Sequence, residues 1–545
     1  MPVVTFSYND FINLLGYKIT KDKLIEKLPL IGADLDKVEG DDISIEFFPN
    51  RPDLASVEGI ARASKAFFDF ETGIKKYEVK KSDIITNVDP SIKNVRPYVV
   101  TALVKNVTMS DELISSLMEL QEKLHGGLGR DRKKLAIGVH NFEPVEPPFI
   151  YKAVDPDAVE FVPLNEFESM TLKEILEKHD KGTAYAHLLK DYDKHPLILD
   201  KYNNVLSYPP IINGALTQVT PFTTDLFIDV TGWDFKAINY ALNIVVTALA
   251  ERGGQIYSTT VKDKSKTYIV PDLKPKEMSL TVDYTNKILG TKMNANKIIN
   301  CLKKMGYDAS IKNNKEIKIL IPSWRADILH EIDLIEDVSI GYGYDKFDTE
   351  FPTALTFGKT LPMFNIYEGL RQIMIGLGFN EVTTFTISNH IDEFEKLGLE
   401  KTKSVEIKNP IGEEYSILRI SLIPSLLKIL RENRHHSLPQ QIFELGIVTD
   451  KNYKNQHHLG FLKIGAKSNF TECKSLIDAV MRDSGIKYNI KNKDHPAFVN
   501  GRCAAVLINN QEIGLFGELH PKTITEFDLE YPIIAFEMKA YLLNQ

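Results

Sequence analysis

The chain has 545 residues, 43% of them apolar, and a formal net charge of −8. That length predicts roughly three or four domains with a large core. The acidic balance excludes a general polycation, so any nucleic acid must be met by local basic patches.

Cys301, Cys473 and Cys503 have no short C-x-x-C spacing, which argues against a disulfide framework or a zinc site and fits a reducing compartment. The opening MPVVTFSYND has neither a basic n-region nor an apolar h-region. No stretch reaches the roughly 18 apolar residues of a membrane span, so the chain reads as cytoplasmic with no membrane partner.

Domain boundaries are expected near residues 85, 270 and 350. Residues 1–85 begin with the strand VVTFS and a helix carrying Phe11, Leu14 and Leu15, then a strand over Ile43–Phe48 and the loop PNRPD. The next helix carries Leu54, Val57, Ile60, Ala61, Ser64 and Phe68 at a 3.6-residue period. The charged segment Lys75–Asp83 reads as a linker. Residues 86–270 alternate strands (Arg96–Val107, Lys134–Val139, Val205–Leu206, Leu226–Val230) with helices (Asp111–Leu124, Asp234–Arg252), up to a lysine-rich segment at 262–266. Residues 271–350 hold a helix over Asn294–Met305, a strand over Ile317–Ile321 and an acidic helix, content that suits a winged-helix type of module. Residues 351–545 form a further α/β section. Its helices are Asn365–Leu377, Leu422–Asn433 and Thr471–Ser484; its strands are Glu381–Ile387, Gln440–Gly446 and the hairpin Arg502–Ile508 with Glu512–Gly517.

Two segments carry candidate chemistry. PSWRADILHEIDLIEDV at 322–338 sets Asp327, Asp333, Glu336 and Asp337 at a helix start, with Asp327 as the N-cap and Ile328, Ile332, Ile335 and Val338 at helical spacing. Positions 333, 336 and 337 share one face, where like charges repel by a few tenths of a kcal/mol per pair. A hard divalent ion such as Mg²⁺ would relieve that repulsion; a solvated acidic face paired with Arg325 or a basic partner is the alternative. GGLGRDRKKLAIG at 126–138 offers Arg130, Arg132, Lys133 and Lys134 either to the phosphates of a nucleic acid or to solvent. The pairs His435–His436 and His457–His458 read as surface histidines, because adjacent side chains point apart and no further ligand completes a metal set.

FFPNRPDLASVEGIARA at 47–63 and PSWRADILHEIDLIEDV at 322–338 resemble the β subunit of phenylalanyl-tRNA synthetase, in its archaeal and eukaryotic-cytosolic form. AIGVHN at 136–141, LSYPPIING at 206–214 and LRISLIPSLLKILRENRHHSLPQQIFELG at 418–446 extend the resemblance, in order, over nearly the whole chain. It implies an α+β multidomain fold: an N-terminal α/β domain (1–85), an α/β tRNA-editing domain (86–270), a small winged-helix-like domain (271–350) and a class II synthetase-like antiparallel-sheet core (351–545). It also implies an (αβ)₂ heterotetramer with a catalytic α subunit that binds ATP and phenylalanine and charges tRNA(Phe). A magnesium ion on Asp327, Asp333, Glu336 and Asp337 is implied as well.

The core of 351–545 is expected to be catalytically degenerate, because the last hundred residues lack the G-x-G-x-x-R pattern that closes an ATP site. In the family the second domain hydrolyses mischarged Tyr-tRNA(Phe). Period-2 alternation in LFIDVTG puts Asp229 and Thr231 on one face, and Ser207 and Asn213 lie where they can converge on them. A scaffold that only assembles the complex and grips tRNA is the alternative. A metal-dependent phosphoryl-transfer enzyme would need a glycine-rich phosphate loop beside the acidic helix, and the sequence has none there.

Overall fold

Ser7 closes the first strand, Val3–Ser7, and its hydroxyl accepts from Asp10 N to start the helix Tyr8–Leu15, so one residue ends one element and caps the next. The strand pairs antiparallel with Asp42–Phe47, which in turn pairs with Ala33–Glu39. Phe6, Phe11, Leu15, Ile43, Ile45 and Phe47 fill the core between this sheet and the helix Val57–Phe67. The computed structural model describes residues 3–264, 266–313, 315–351 and 356–541. It divides into two units, Met1–Glu350 and Phe351–Gln545.

The segment expected as a linker is a strand from Val79 onward. Val79–Val88 lies inside a ten-stranded mixed sheet, parallel both to Gln255–Lys262 and to Phe149–Val154. Its lysines disguise the alternation, but Ile84 and Thr86 point inward and are buried. Next in the sheet come Tyr98–Lys105, Leu226–Gly232 and Leu135–Asn141, all antiparallel. Leu226–Gly232 is buried along its whole length. The helix Phe235–Glu251, capped by Asp234, packs Ala241, Leu242, Val245 and Leu249 into the same core. The lysine-rich segment at 262–266 joins two paired strands of this sheet, although residue 265 lies outside the described residues. Residues 276–342 add a three-stranded antiparallel sheet (Lys276–Thr281, Glu316–Ile321, Asp308–Ile311) with the helices Val282–Leu289, Ala295–Lys304 and Glu331–Tyr342 around it.

Buried polar contacts join these parts of the first unit. The Arg62 guanidinium lies 4.6 Å over the Trp324 ring and donates to Thr247 Oγ1 at 3.0 Å. Arg252 donates to both oxygens of Asp10 and to Glu58, and Asn243 donates to the carbonyls of Asp272 and Ser323.

The second unit is built on a seven-stranded sheet in the order Asn380–Glu381, Gln440–Thr449, Asn455–Ile464, Ile533–Lys539, Gln511–Leu519, Phe498–Ile508, Asn489–Asn492. All its pairings are antiparallel except the first. Alternation along the strands gives two cores. Phe443, Phe461 and Phe536 meet the helices Pro362–Gly376 and Phe470–Asp483, while Ile442, Leu462 and Ala535 meet Ile423–Glu432. The strand expected over Glu381–Ile387 is broken. Its ends join different sheets, and the middle bends around Arg419, whose side chain meets Thr384 and whose N–H meets the Thr386 carbonyl. Among the described residues no helix is long and apolar enough to cross a membrane.

Candidate functional site

Asp229, Ser207 and Asn213 line one cavity of about 380 Å³ in the first unit. The sheet register explains the convergence. Ser207 on Val205–Tyr208 pairs with Asn213 on Ile212–Asn213, and Asp229 pairs with Gly138 on Leu135–Asn141. Ser207 Oγ donates to Asn213 Oδ1 at 3.3 Å, and Asn213 Nδ2 donates to the Val139 carbonyl at 3.3 Å. Met109, Leu117, Met118, Ile137 and Ile211 supply an apolar wall.

Thr231 shares the face of Asp229, as alternation requires, but it does not reach the cavity. Its hydroxyl and carbonyl oxygens both accept from the buried Arg96, at 2.9 Å each. Burial pushes the Arg96 guanidinium down to about 10 against the pull of Tyr151 and Asp229. Thr231 therefore satisfies a buried cation instead of facing a ligand.

His140 and Thr217 complete the polar cluster, and neither drew notice in the sequence. Asp229 Oδ2 accepts from His140 Nε2 at 2.8 Å, and the other ring nitrogen, Nδ1, lies 2.8 Å from Thr217 Oγ1. A carboxylate only accepts, so Nε2 carries a proton, and the Thr217 hydroxyl also lies within reach of the Leu206 and Gly214 carbonyls, at 3.5 and 3.3 Å. All three side chains are buried. Gly138 makes the pair possible, since a Cβ there would lie 2.2 Å from Asp229 Oδ2 and 2.6 Å from His140 Nε2. His140 follows Gly138 on the same strand face, so its ring lies across the space where that side chain would be. The available signal was the same-face pair Gly138 and His140 in AIGVHN, but a sequence does not give the register against Leu226–Gly232.

The basic segment separates into two kinds of residue. Arg132 is buried and structural: it donates to the carbonyls of Pro210 and Ile211 and to Glu122, and it stacks 4.3 Å over the Tyr185 ring. Lys134 pairs with Asp234 at 2.9 Å. Arg130 and Lys133 are exposed. Arg130, Asp131 and Arg132 all take positive φ (49°, 53° and 64°), a strained left-handed run for residues with side chains. That run turns Arg132 inward and leaves its neighbours outside.

The four carboxylates of the acidic segment line a second cavity, of about 480 Å³, with Asn50 and Arg51. Asp327 is not the helix cap. The helix starts at Glu331, His330 caps it, and Asp333 Oδ2 closes the box by accepting from His330 N at 2.7 Å and Leu329 N at 2.8 Å. Asp327 is instead gripped by both Nε and Nη2 of the buried Arg325, at 2.9 and 2.6 Å. The same Nη2 donates to Asp337 Oδ2 at 2.6 Å, and the Tyr307 hydroxyl donates to that oxygen too. A two-pronged hydrogen bond to a buried guanidinium outweighs an exposed cap. Burial opposes the Arg325 charge, but Asp337, Tyr307 and Asp327 hold the group above its ordinary range.

The Glu336 carboxylate has no hydrogen-bond donor among the described residues; only the backbone carbonyl accepts, from Ser339 Oγ. Partial burial, then Asp337, Asp333 and Asp327 in turn, push its carboxyl up. This is the repulsion expected from the spacing, and Arg325 relieves only part of it. The described residues contain no preformed group of three or more such side chains in metal-holding geometry. The donor chemistry fits a hard ion (four carboxylates on one cavity wall, one of them unpaired), but an ion would have to draw oxygens from Arg325. Of the histidine pairs, His435 and His436 are exposed as expected, whereas His458 is buried with its Nδ1 2.6 Å from Glu537 Oε1.

Comparison with known proteins places the chain among the tRNA synthetases. Residues 278–344 match the tRNA synthetase B5 domain, and residues 348–540 match the phenylalanyl tRNA synthetase beta chain CLM domain. The chain belongs to the phenylalanine–tRNA ligase β-subunit family. It is 46% identical to that subunit from Methanosarcina barkeri, across 99% of this chain and 98% of the relative. It is 44% identical to the Archaeoglobus fulgidus subunit, with the same two coverages. An N-terminal fragment of the phenylalanyl-tRNA synthetase β subunit from Pyrococcus horikoshii is 41% identical and superposes with a TM-score of 0.61, covering 63% of this chain and 99% of the fragment. Membership makes the chain a component of a ligase complex in Phe-tRNA synthesis, with an α subunit as its partner.

Proposed function

We propose that this chain pairs with its α subunit as an (αβ)₂ heterotetramer in which α binds ATP and phenylalanine and charges tRNA(Phe). In this reading the chain itself hydrolyses Tyr-tRNA(Phe) in the cavity bounded by Asp229, Ser207 and Asn213. A pocket shaped for phenylalanine rejects an analogue that adds one hydroxyl by only about a hundredfold, so a second, polar sieve is needed. The observation that carries the proposal is the Asp229–His140–Thr217 chain at the wall of a cavity otherwise largely apolar. Asp229, fixed through one oxygen, takes on the other the proton of a water that attacks the ester carbonyl, and returns it to the ribose oxygen as the ester bond breaks, releasing tyrosine and tRNA(Phe). The tyrosine hydroxyl meets the Ser207–Asn213 pair, which phenylalanine leaves unused.

Magnesium belongs in this reading at Glu336 with Asp333, Asp337 and Asp327. There it supplies the positive charge that Glu336 lacks, as a structural ion. Arg130 and Lys133 contribute contacts to tRNA phosphates. In the α/β complex, Asp229→Ala slows Tyr-tRNA(Phe) deacylation while phenylalanine charging persists. Deacylation at the wild-type rate would leave the chain a scaffold. The chain without α gives no phenylalanine-dependent ATP–pyrophosphate exchange, and robust exchange would refute the division of labour.

A further inference from the structure

A cavity of about 130 Å³ lies in the first unit where the segments 51–76, 305–306 and 322–325 meet, and the proposed function leaves it unused. Its wall is cationic: Arg51, Arg62, Lys65, Lys75, Lys76 and Arg325 line it, against the carboxylates of Asp53 and Glu71. Lys65 pairs with Glu251 and Lys75 with Glu71, at 3.1 and 2.9 Å. Lys76 is exposed and makes no ion pair among the described residues.

The three guanidiniums of the wall differ in one respect. Arg51 grips Asp53 with Nε and Nη2, at 2.8 and 2.9 Å, and Arg325 grips Asp327 with the same two nitrogens, at 2.9 and 2.6 Å. That edge of an arginine presents two parallel N–H groups, which match the oxygens of a carboxylate or a phosphate. In Arg62 the same edge is empty. Its Nη1 donates to Thr247 Oγ1 at 3.0 Å and to the Tyr77 hydroxyl at 3.4 Å, and its flat face lies over Trp324. Nε and Nη2 have no acceptor among the described residues, and unlike Arg325 Nη1 they are not sealed from solvent. Neither carboxylate of the wall supplies one: both Asp53 oxygens accept from Arg51, and the Glu71 oxygens accept from Lys75 and Tyr17. Burial opposes the Arg62 charge, while Tyr77, Glu251 and Asp53 hold the group above its ordinary range. The charge is thus kept, and what the open edge lacks is an acceptor.

We infer that this cavity binds a phosphate group, held by the Nε–Nη2 edge of Arg62 and by the Lys76 ammonium. At about 10–15 Å³ for one water centre, the space takes roughly ten waters or one small oxyanion, and not a nucleoside as well. Two cations without a carboxylate of their own favour a dianion over a monoanion.

Isothermal calorimetry of the full chain with inorganic phosphate at constant ionic strength tests the inference, with sulfate, acetate and chloride as comparisons. The expected result is one-to-one binding at pH 8 with a dissociation constant below about 5 mM, and binding of acetate and chloride at least tenfold weaker. Phosphate affinity falls from pH 8 to pH 6 as the ligand loses its second charge. Sulfate affinity holds, because the lining lysines and arginines stay protonated throughout. Arg62→Lys keeps the charge but removes the two-pronged edge, and loses at least tenfold. Lys76→Glu, at an exposed position, loses at least threefold and covers the case in which Arg62→Lys fails to fold. In the α/β complex, competition between phosphate and tRNA(Phe) assigns the group to the tRNA backbone, and simultaneous binding assigns it to a free oxyanion; either result retains the site. The inference is overturned by no saturable phosphate binding below about 50 mM, by acetate or chloride binding equally well, or by undiminished phosphate binding in a folded Arg62→Lys or Lys76→Glu chain.

Discussion

Gly138→Ala tests the candidate editing site with a single methyl group. The added Cβ would meet Asp229 Oδ2 at 2.2 Å and His140 Nε2 at 2.6 Å, against an ordinary contact of 3.4 Å or more. Relief requires the carboxylate to move by about 1.2 Å, the difference between 3.4 and 2.2 Å. A hydrogen bond of 2.8 Å stretched by that much is lost. A bond to a charged group contributes about 1.5–3 kcal/mol, and at 1.36 kcal/mol per tenfold its loss slows the step it supports about 10- to 150-fold. The assay is single-turnover deacylation of Tyr-tRNA(Phe) by the α/β complex, with phenylalanine charging measured in parallel and circular dichroism confirming the fold. Charging should stay within about twofold, because a change well below tenfold is worth only a few tenths of a kcal/mol. Wild-type deacylation by a folded Gly138→Ala complex would show that the Asp229–His140 pair plays no part in the reaction.

Other consequences are open to similar checks. Thr231→Ala removes the acceptor of the buried Arg96 Nε and should cost about 1.5–3 kcal/mol in urea denaturation, yet slow deacylation less than Asp229→Ala does; the reverse order would return Thr231 to the cavity wall. Replacing Arg130 and Lys133 together by alanine should lower the salt slope of tRNA binding by about 1.4–1.8, at roughly 0.7–0.9 per phosphate contact. Arg132→Ala should instead destabilise the sheet it buttresses; an unchanged slope in the double variant would remove the loop from the tRNA interface. Glu336 has a carboxyl raised by burial and by its acidic neighbours, so its ionisation disfavours the folded state as pH rises above the unfolded value. In EDTA, Glu336→Gln should therefore stabilise the protein at neutral pH and have little effect near pH 4. Mg²⁺ at a hundred times its dissociation constant should stabilise the wild type by about 2.7 kcal/mol and the variant far less. Equal responses to Mg²⁺ would place the ion elsewhere.

Local signals were legible wherever neighbouring residues determine the outcome. The helix expected over Asn294–Met305, the apolar stripe of Val57–Phe67 and the alternation in LFIDVTG all follow from spacing and propensity. The shared face of Asp333, Glu336 and Asp337 is likewise a property of the helix itself. What was not legible depends on distant partners. Val79–Val88 looked like a linker because its lysines obscure a strand that only its sheet neighbours define. Asp327 looked like a cap because nothing local shows Arg325 buried between it and Asp337. Arg132 looked like part of a solvated cluster until the left-handed backbone turned it under Tyr185. His140 needed the register of two strands 89 residues apart before its contact with Asp229 had meaning.

The cross-links through Arg62, Arg252 and Asn243 bear on how the first 350 residues can be divided. Sequence boundaries near 85 and 270 suggest separable modules, yet a cut at either place removes the partner of a buried guanidinium. Without Thr247, Glu251 and Trp324, Arg62 loses a hydrogen bond, a stabilising negative charge and a ring contact, and removal of one partner of a buried charge typically costs about 3–5 kcal/mol. That is a large share of the roughly 5–15 kcal/mol by which proteins stay folded. The excised pieces would then be prone to misfold, in keeping with Met1–Glu350 forming one compact unit. Recombination or gene fission would be expected to preserve that block intact.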